Sequence, residues 1–288
     1  MRTAIRSVRQ ALATAAIVAL LVTPLVRSAH AQTGGDRIKV LQAAAYALGM
    51  PRWSDIGTTT TRLPAIDIVN TMELRGSGTV DRSGRAMKVD YHAALGYNPP
   101  AMRVEMTLTG EGGAPQHIIQ TVRETYAWDE SEIGAGLVPG KGTATPIAAS
   151  ARERLLQVWT LPYGVVKAAV AAGDKTTVST EGGATVVTFP LSGALAGITV
   201  RATLDANNLV TRVETRSDNP ALVTQTDYAD YADRAEVLTD IKTPGRIVRR
   251  QGGRTVLDIE VKNWETNNPY LVFPVPPNLK APAAANSR

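Results

Sequence analysis

Two stretches decide the fold: ITVRATLDANNLVTRVETR (Ile198–Arg216) and RIVRRQGGRTVLDIEVK (Arg246–Lys262). In the first, Ile198, Val200, Ala202 and Leu204 alternate with Thr199, Arg201, Thr203 and Asp205. Asn207-Asn208 then offers residues that tolerate positive φ, which suits a tight hairpin turn. In the second, Leu257, Ile259 and Val261 alternate with Asp258, Glu260 and Lys262, and Gly252-Gly253 supplies the turn. A two-residue period with one polar face is the mark of an antiparallel sheet with one side in water.

Working outward, the same pattern recurs toward the N-terminus. Met72 and Leu74 alternate within Asp67–Val80, where Gly76 and Gly78 signal a bulge or bend. Met87, Val89 and Tyr91 follow, and Asn98-Pro99-Pro100 breaks the run. Met102, Val104, Met106 and Leu108 share one face of Met102–Thr109. Gln116–Trp128 reads as one returning segment, with Val122, Tyr126 and Trp128 on one side. Ile133–Pro146, with its Gly134–Gly142 core, reads as a mobile loop. Thr176–Thr180 and Ala184–Phe189 flank Gly182-Gly183, and Tyr270–Val275 is a last short strand or extended tail.

Helical signals fall in two places. Asp36 caps a helix running to about Leu48, with Ile38, Leu41, Ala45 and Leu48 on one stripe and a stop at Gly49-Met50-Pro51. Ser150 and Glu153 have capping-box spacing for a second helix. It carries Leu155, Val158 and Trp159, restarts at Pro162, includes Val166 and stops at Gly173. About twelve extended segments with two helical regions, and no alternation of strand and helix, argue against a parallel sheet. The expected class is α+β, mainly antiparallel β: a strongly curved, incomplete β-barrel with helices packed on its concave face.

The first thirty-one residues are set apart. Arg2, Arg6 and Arg9 precede an apolar run over Ala11–Val26, and Ala29-His30-Ala31 gives a small-x-small cleavage site. This is the pattern of an export signal, too short to span a bilayer. The expected mature chain is one domain over residues 32–288 with a disordered tail at 281–288, located in the periplasm with no stable membrane anchor. The signal holds four Arg and no acid, so the formal charge falls from +5 to +1 once it is removed. The mature chain therefore lacks the basic surplus that a nucleic-acid partner needs. With no Cys, disulfides, thiolate metal sites and lipid attachment at a terminal Cys are all excluded.

Motifs for catalysis are missing. Only His92 and His117 remain after the signal, at no metal-binding spacing, and neither a nucleophile elbow nor a phosphate loop occurs. Both histidines read as surface or rim residues. Asp227, Asp230, Asp233, Glu236 and Asp240 lack a calcium-loop pattern and read as a solvated acidic edge. Arg246, Arg249, Arg250 and Arg254 form a basic patch that either pairs internally, guards an exposed strand or meets an anionic group. No metal, cofactor or enzymatic role is expected.

The segment Thr226–Asn267 resembles exported proteins of the lipoprotein-carrier (LolA/LolB-like) fold. It is similar in particular to the β-rich domain that precedes a metallo-β-lactamase-fold hydrolase in some secreted proteins. Tyr228, Tyr231, the Pro244-Gly245-Arg246-Ile247 turn, Gln251-Gly252-Gly253 and Leu257-Asp258-Ile259 carry the likeness. The hydrolase domain and its His-rich zinc motif are absent here. The resemblance implies a space between sheet and helices for acyl chains, lined by Met72, Leu74, Met102, Val104, Met106, Leu108, Leu155, Trp159 and Val166. Methionines on an inward stripe suit an adaptable apolar site, and equally suit a gap-filled core. Two functions stand side by side: a soluble binding or carrier protein for an apolar ligand, a lipid or acylated molecule; or an interaction module that docks a periplasmic partner protein through the Tyr-rich acidic segment and the Arg-rich hairpin.

Overall fold

The computed structural model describes residues 34–50, 69–110, 113–235 and 240–280. The expected export signal, Glu236 and the 281–288 tail lie outside these. The chain opens with α1 (Gly34–Ala47), then runs through β1 (Thr71–Arg82), β2 (Arg85–Tyr97), β3 (Pro100–Thr109), β4 (Gln116–Arg123), β5 (Tyr126–Glu130) and β6 (Ala144–Pro146). Helices α2 (Ala151–Thr160) and α3 (Pro162–Ala171) follow. The chain then returns to strands: β7 (Thr177–Glu181), β8 (Ala184–Pro190), β9 (Thr199–Leu204), β10 (Val210–Arg216), β11 (Thr224–Ala229), β12 (Arg246–Gln251) and β13 (Arg254–Thr266).

The thirteen strands of the described residues join one sheet in the order β6-β5-β4-β3-β2-β1-β13-β12-β11-β10-β9-β8-β7. Every neighbouring pair is antiparallel. The sheet is thus two meanders, an N-terminal wing and a C-terminal wing, joined at the single seam β1/β13. Its edges, β6 and β7, do not pair, so the barrel is open. The segment between those edges is α2–α3. The chain leaves one edge, crosses the concave face as a helical pair and enters the other edge. Helix α2 packs on β2–β5, α3 on β8, and α1 on α3 and β7. This is the curved, incomplete antiparallel barrel that the two-residue periods predict.

Strand alternation sorts the faces as expected. Leu257, Ile259 and Val261 are buried, and Lys262 and Glu260 are exposed. One continuous buried cluster takes side chains from all three helices and from both wings. At the seam, a register shift between Arg75 and Gly76 confirms the bulge. A Cβ at Gly78 would run into the Asp258 carbonyl and lie 2.8 Å from Ile259 Cα, so glycine is required where the two wings meet. No helix of the described residues is long and apolar enough to cross a membrane.

Three local expectations are corrected, and a fourth is decided between its two alternatives. Gln116–Trp128 is a hairpin, because the chain reverses at Glu124, which adopts φ 54°. The reversal puts Trp128 beside Thr121, on the face opposite Val122. The capping box does not form: the Ser150 side chain caps nothing, and a short 3-10 turn over Ala148–Ser150 precedes the helix. The Gly134–Gly142 loop is a set of hydrogen-bonded turns. It is tied down by the buried Glu130 carboxylate, which accepts from Gly134 N (2.7 Å), Thr121 Oγ1 (2.7 Å) and Trp128 Nε1 (2.9 Å). Of the two readings of Tyr270–Val275, the extended tail holds and the strand does not. The tail crosses the convex face, where Phe273 packs on Ala94 and Ala101, Arg123 donates to its carbonyl and Asn278 donates to Ala144.

Candidate functional site

Helix α2 is held over the sheet from both wings. On the N-terminal wing, the buried Arg154 donates to the carbonyls of Trp128 (2.7 Å) and Thr121 (3.2 Å) and to Asp129 (2.6 Å). On the C-terminal wing, Arg249 donates to Gln157 Oε1 (2.7 Å) and Tyr228 donates to the Thr160 carbonyl (2.6 Å). Leu161 is extended between the helices, and Pro162 begins α3 with φ preset for a first helical turn. A Cβ at Gly164 would lie 2.9 Å from Trp159 Cα, so the helical pair is tightly folded.

Three spaces border this helical pair. An inner cavity of about 230 Å³ lies between α2 and the concave face. Val104, Met106, Leu156 and Leu257 supply its apolar lining, Asp81, Arg82, Gln120, Glu153, Thr224 and Gln251 a polar one, and residues of both wings take part. A narrow seam of about 10 Å³ continues it deeper, between Leu74, Met102, Leu161 and Ile259. The two share Tyr91, Gln157, Arg249 and Leu257. An outer groove of about 530 Å³ lies on the other side of the helices, between Leu155, Trp159, Ala168 and the Leu191–Leu195 turn, with Glu124 and Lys175 at its rim.

The nine residues expected to line a cavity are therefore divided. Val104 and Met106 face the inner cavity, and Leu74 and Met102 face the seam. Leu155 and Trp159 face the outer groove. Met72, Leu108 and Val166 line none of these three spaces and are packed in the core, where the Met72 sulfur accepts from the Tyr97 hydroxyl at 3.7 Å.

Among the polar groups of the inner cavity, the sequence pattern marks Arg249 only as one of the basic patch and Tyr91 only as an alternating strand residue. Tyr91 is 8% exposed and lines the cavity, and its hydroxyl has no hydrogen-bond partner among the described residues. Burial raises its pKa, and the nearby Arg249 charge pulls it back. The Arg-rich patch separates by face. Arg246 pairs with Asp258 (3.0 Å), Arg250 with Asp227, and Arg254 with Asp81 (2.8 Å). Only Arg249 of the four lines the inner cavity, and it has no carboxylate partner among the described residues. Period two on β12 carried the signal, since Ile247, Arg249 and Gln251 share a face.

Other candidates are engaged elsewhere. Tyr228 is buried, and the half-buried Tyr231 donates to the Val210 carbonyl (2.6 Å). Asp227 takes hydrogen bonds from Arg212, Gln225 and Arg250. Burial raises its carboxyl pKa, but these donors outweigh burial and hold it below the usual range. The side chains of the imagined docking surface are thus largely used in internal contacts. His92 does have partners, which only strand register reveals: Glu73 at 3.2 Å and Glu105 at 3.3 Å. The His92 hydrogen bond holds the Glu105 carboxyl below its usual range, against burial. His117 is exposed beside Thr107 (3.4 Å). Neither histidine lines the cavities described above, and no cluster of acids and histidines among the described residues is placed to hold a metal.

No protein-family model and no curated protein matches the chain. Solved structures resemble it, two of them as follows. One is a DUF1329 family protein from Desulfovibrio piger, 8% identical with a TM-score of 0.45, over 80% of this chain and 92% of the other. The second is a LolA superfamily protein from Nitrosomonas europaea, 9% identical with a TM-score of 0.40, over 81% of this chain and 92% of the other. Both likenesses are too slight to place the chain in either family or to speak for its function. Neither supports the link to metallo-β-lactamase-fold proteins.

Proposed function

We propose that the chain is an exported binding or carrier protein for an apolar ligand, a lipid or acylated molecule, held between α2 and the concave sheet face. The observation that carries this reading is the inner cavity with its continuing seam. Side chains of both wings and of α2 meet there without filling the space. Ligand pockets commonly run about 300–1,000 Å³, so the cavity of about 230 Å³ is a starting space rather than a finished one. Met102 and Met106 border the path by which it would widen, and their unbranched side chains repack at little cost. Each methylene that enters gains roughly 0.8 kcal/mol, so a chain following the seam offsets the parting of α2 from the sheet. Residues 1–31 provide for export to the periplasm. The nine residues read from sequence act in this scheme by position: Leu74, Met102, Val104 and Met106 line the path, and the others support it.

The test uses the neutral apolar fluorophore N-phenyl-1-naphthylamine. Saturable fluorescence enhancement is expected in the wild type. It should be lost in Leu156→Trp, which fills the inner cavity, and retained in Ala168→Trp, which fills the outer groove. No saturable uptake by folded wild-type protein, or loss only in the groove variant, would contradict the proposal.

A further inference from the structure

The inner cavity is not purely apolar, and its polar groups are arranged unusually for a packed core. Among the other buried tyrosines, Tyr228 and Tyr163 donate to backbone carbonyls and Tyr97 donates to the Met72 sulfur. The Tyr91 hydroxyl alone among these faces open space without a partner in the described protein. Open to the cavity and not sealed in the core, it is free to donate to an acceptor that enters. Beside it stands Arg249, whose guanidinium has five donors and gives one hydrogen bond, to the neutral Gln157 amide. The other three arginines of the hairpin each have a carboxylate, so the absence of one here is a local feature and not a property of the strand. Other charged groups line the cavity, but toward its mouth. Asp81 is paired to Arg254, and Glu153 and Arg82 are exposed. Arg249 and Tyr91 reach further in, since both also border the apolar seam.

We infer that this pair recognises an anionic head group, a carboxylate or phosphate ester, at the end of an apolar chain that continues along the seam. The inference rests on the carrier reading and narrows it from apolar ligands to anionic amphiphiles. An oxyanion accepting from both the guanidinium and the phenol would satisfy the two groups the fold leaves open. The chain beyond it would meet Leu74, Met102 and Ile259.

The test compares decanoate, decyl phosphate and decanol at pH 8, each displacing N-phenyl-1-naphthylamine from the full chain, with inorganic phosphate and acetate as chainless controls. The two anionic amphiphiles should bind at least tenfold more tightly than decanol. Arg249→Gln should abolish that preference, read as the ratio of decanoate to decanol affinity within the one variant. Tyr91→Phe should reduce it several-fold with no loss of stability, because the deleted oxygen has no partner in the described protein. Equal affinity for decanol and decanoate, or an undiminished preference in Arg249→Gln, would overturn the inference and leave the carrier reading standing. Inorganic phosphate binding as tightly as decyl phosphate would overturn it in favour of a free-anion site. No binding of any chain-bearing ligand would bring down the carrier reading and the inference together.

Discussion

Replacing Gly78 by alanine tests whether the two wings depend on a single close seam. The new Cβ would meet the Asp258 carbonyl oxygen and come within 2.8 Å of Ile259 Cα, both backbone atoms of β13 that no rotamer change can move. Forcing extra volume into such a site costs about 1–3 kcal/mol. Pushing β13 away would also weaken about two ladder hydrogen bonds, at roughly 1 kcal/mol each. Together these predict a destabilisation of about 3–5 kcal/mol. Gly84→Ala is the matched control: Gly84 has φ +84° but open space around its Cβ position, so only backbone strain of roughly 1–2 kcal/mol applies. Equilibrium urea unfolding, followed by the fluorescence of the buried Trp128 and Trp264, measures both. A Gly78→Ala cost below 1 kcal/mol, or one no larger than that of Gly84→Ala, would refute the seam argument.

Arg154→Met removes the donor shared by the Thr121 and Trp128 carbonyls and should cost about 2–6 kcal/mol in the same assay, since each of the two buried acceptors left unpaired costs roughly 1–3 kcal/mol; a neutral effect would show that α2 is not anchored through this residue. Asp227 makes a pH prediction. Its folded pKa is lowered, so its contribution is present at neutral pH and lost as pH falls through that folded value, below the ordinary carboxylate pKa of about 3.9. Asp227→Asn should therefore be less stable than wild type at pH 7, with the gap narrowing by pH 3. Unfolding curves that stay parallel across that range would show that the Arg212 and Arg250 contacts contribute nothing to stability.

The strands, their faces and the placement of the helices were legible because each rests on a local period. Gly76 and Gly78 announced the bulge, and Gly252-Gly253 the last hairpin. The β4/β5 reversal was not legible: Glu124-Thr125 contains none of the residues that usually mark a turn, and only the paired strands around it impose a positive φ on Glu124. The capping box failed because a preceding 3-10 turn alters the helix entry, which spacing alone does not register. The site was half legible for a related reason. Alternation placed Val104 and Met106 on the inward face, but it could not say which inward residues α2 covers tightly and which border a gap. Arg249 was grouped with its charged neighbours in sequence. Its separation from them becomes visible only when β12 is set between β11 and β13 and its inward face is brought under α2. Glu73, His92 and Glu105 likewise meet only through the pairing of β1, β2 and β3.

The most direct test of the carrier account is native mass spectrometry of the protein purified from its own cells, with solvent extraction of whatever accompanies it. The account predicts a discrete adduct that extracts as an anionic, chain-bearing molecule and is absent from Leu156→Trp. A bare polypeptide mass in wild type, with no adduct after incubation with anionic lipids, would contradict it and leave Leu74, Met102, Val104 and Met106 as ordinary core.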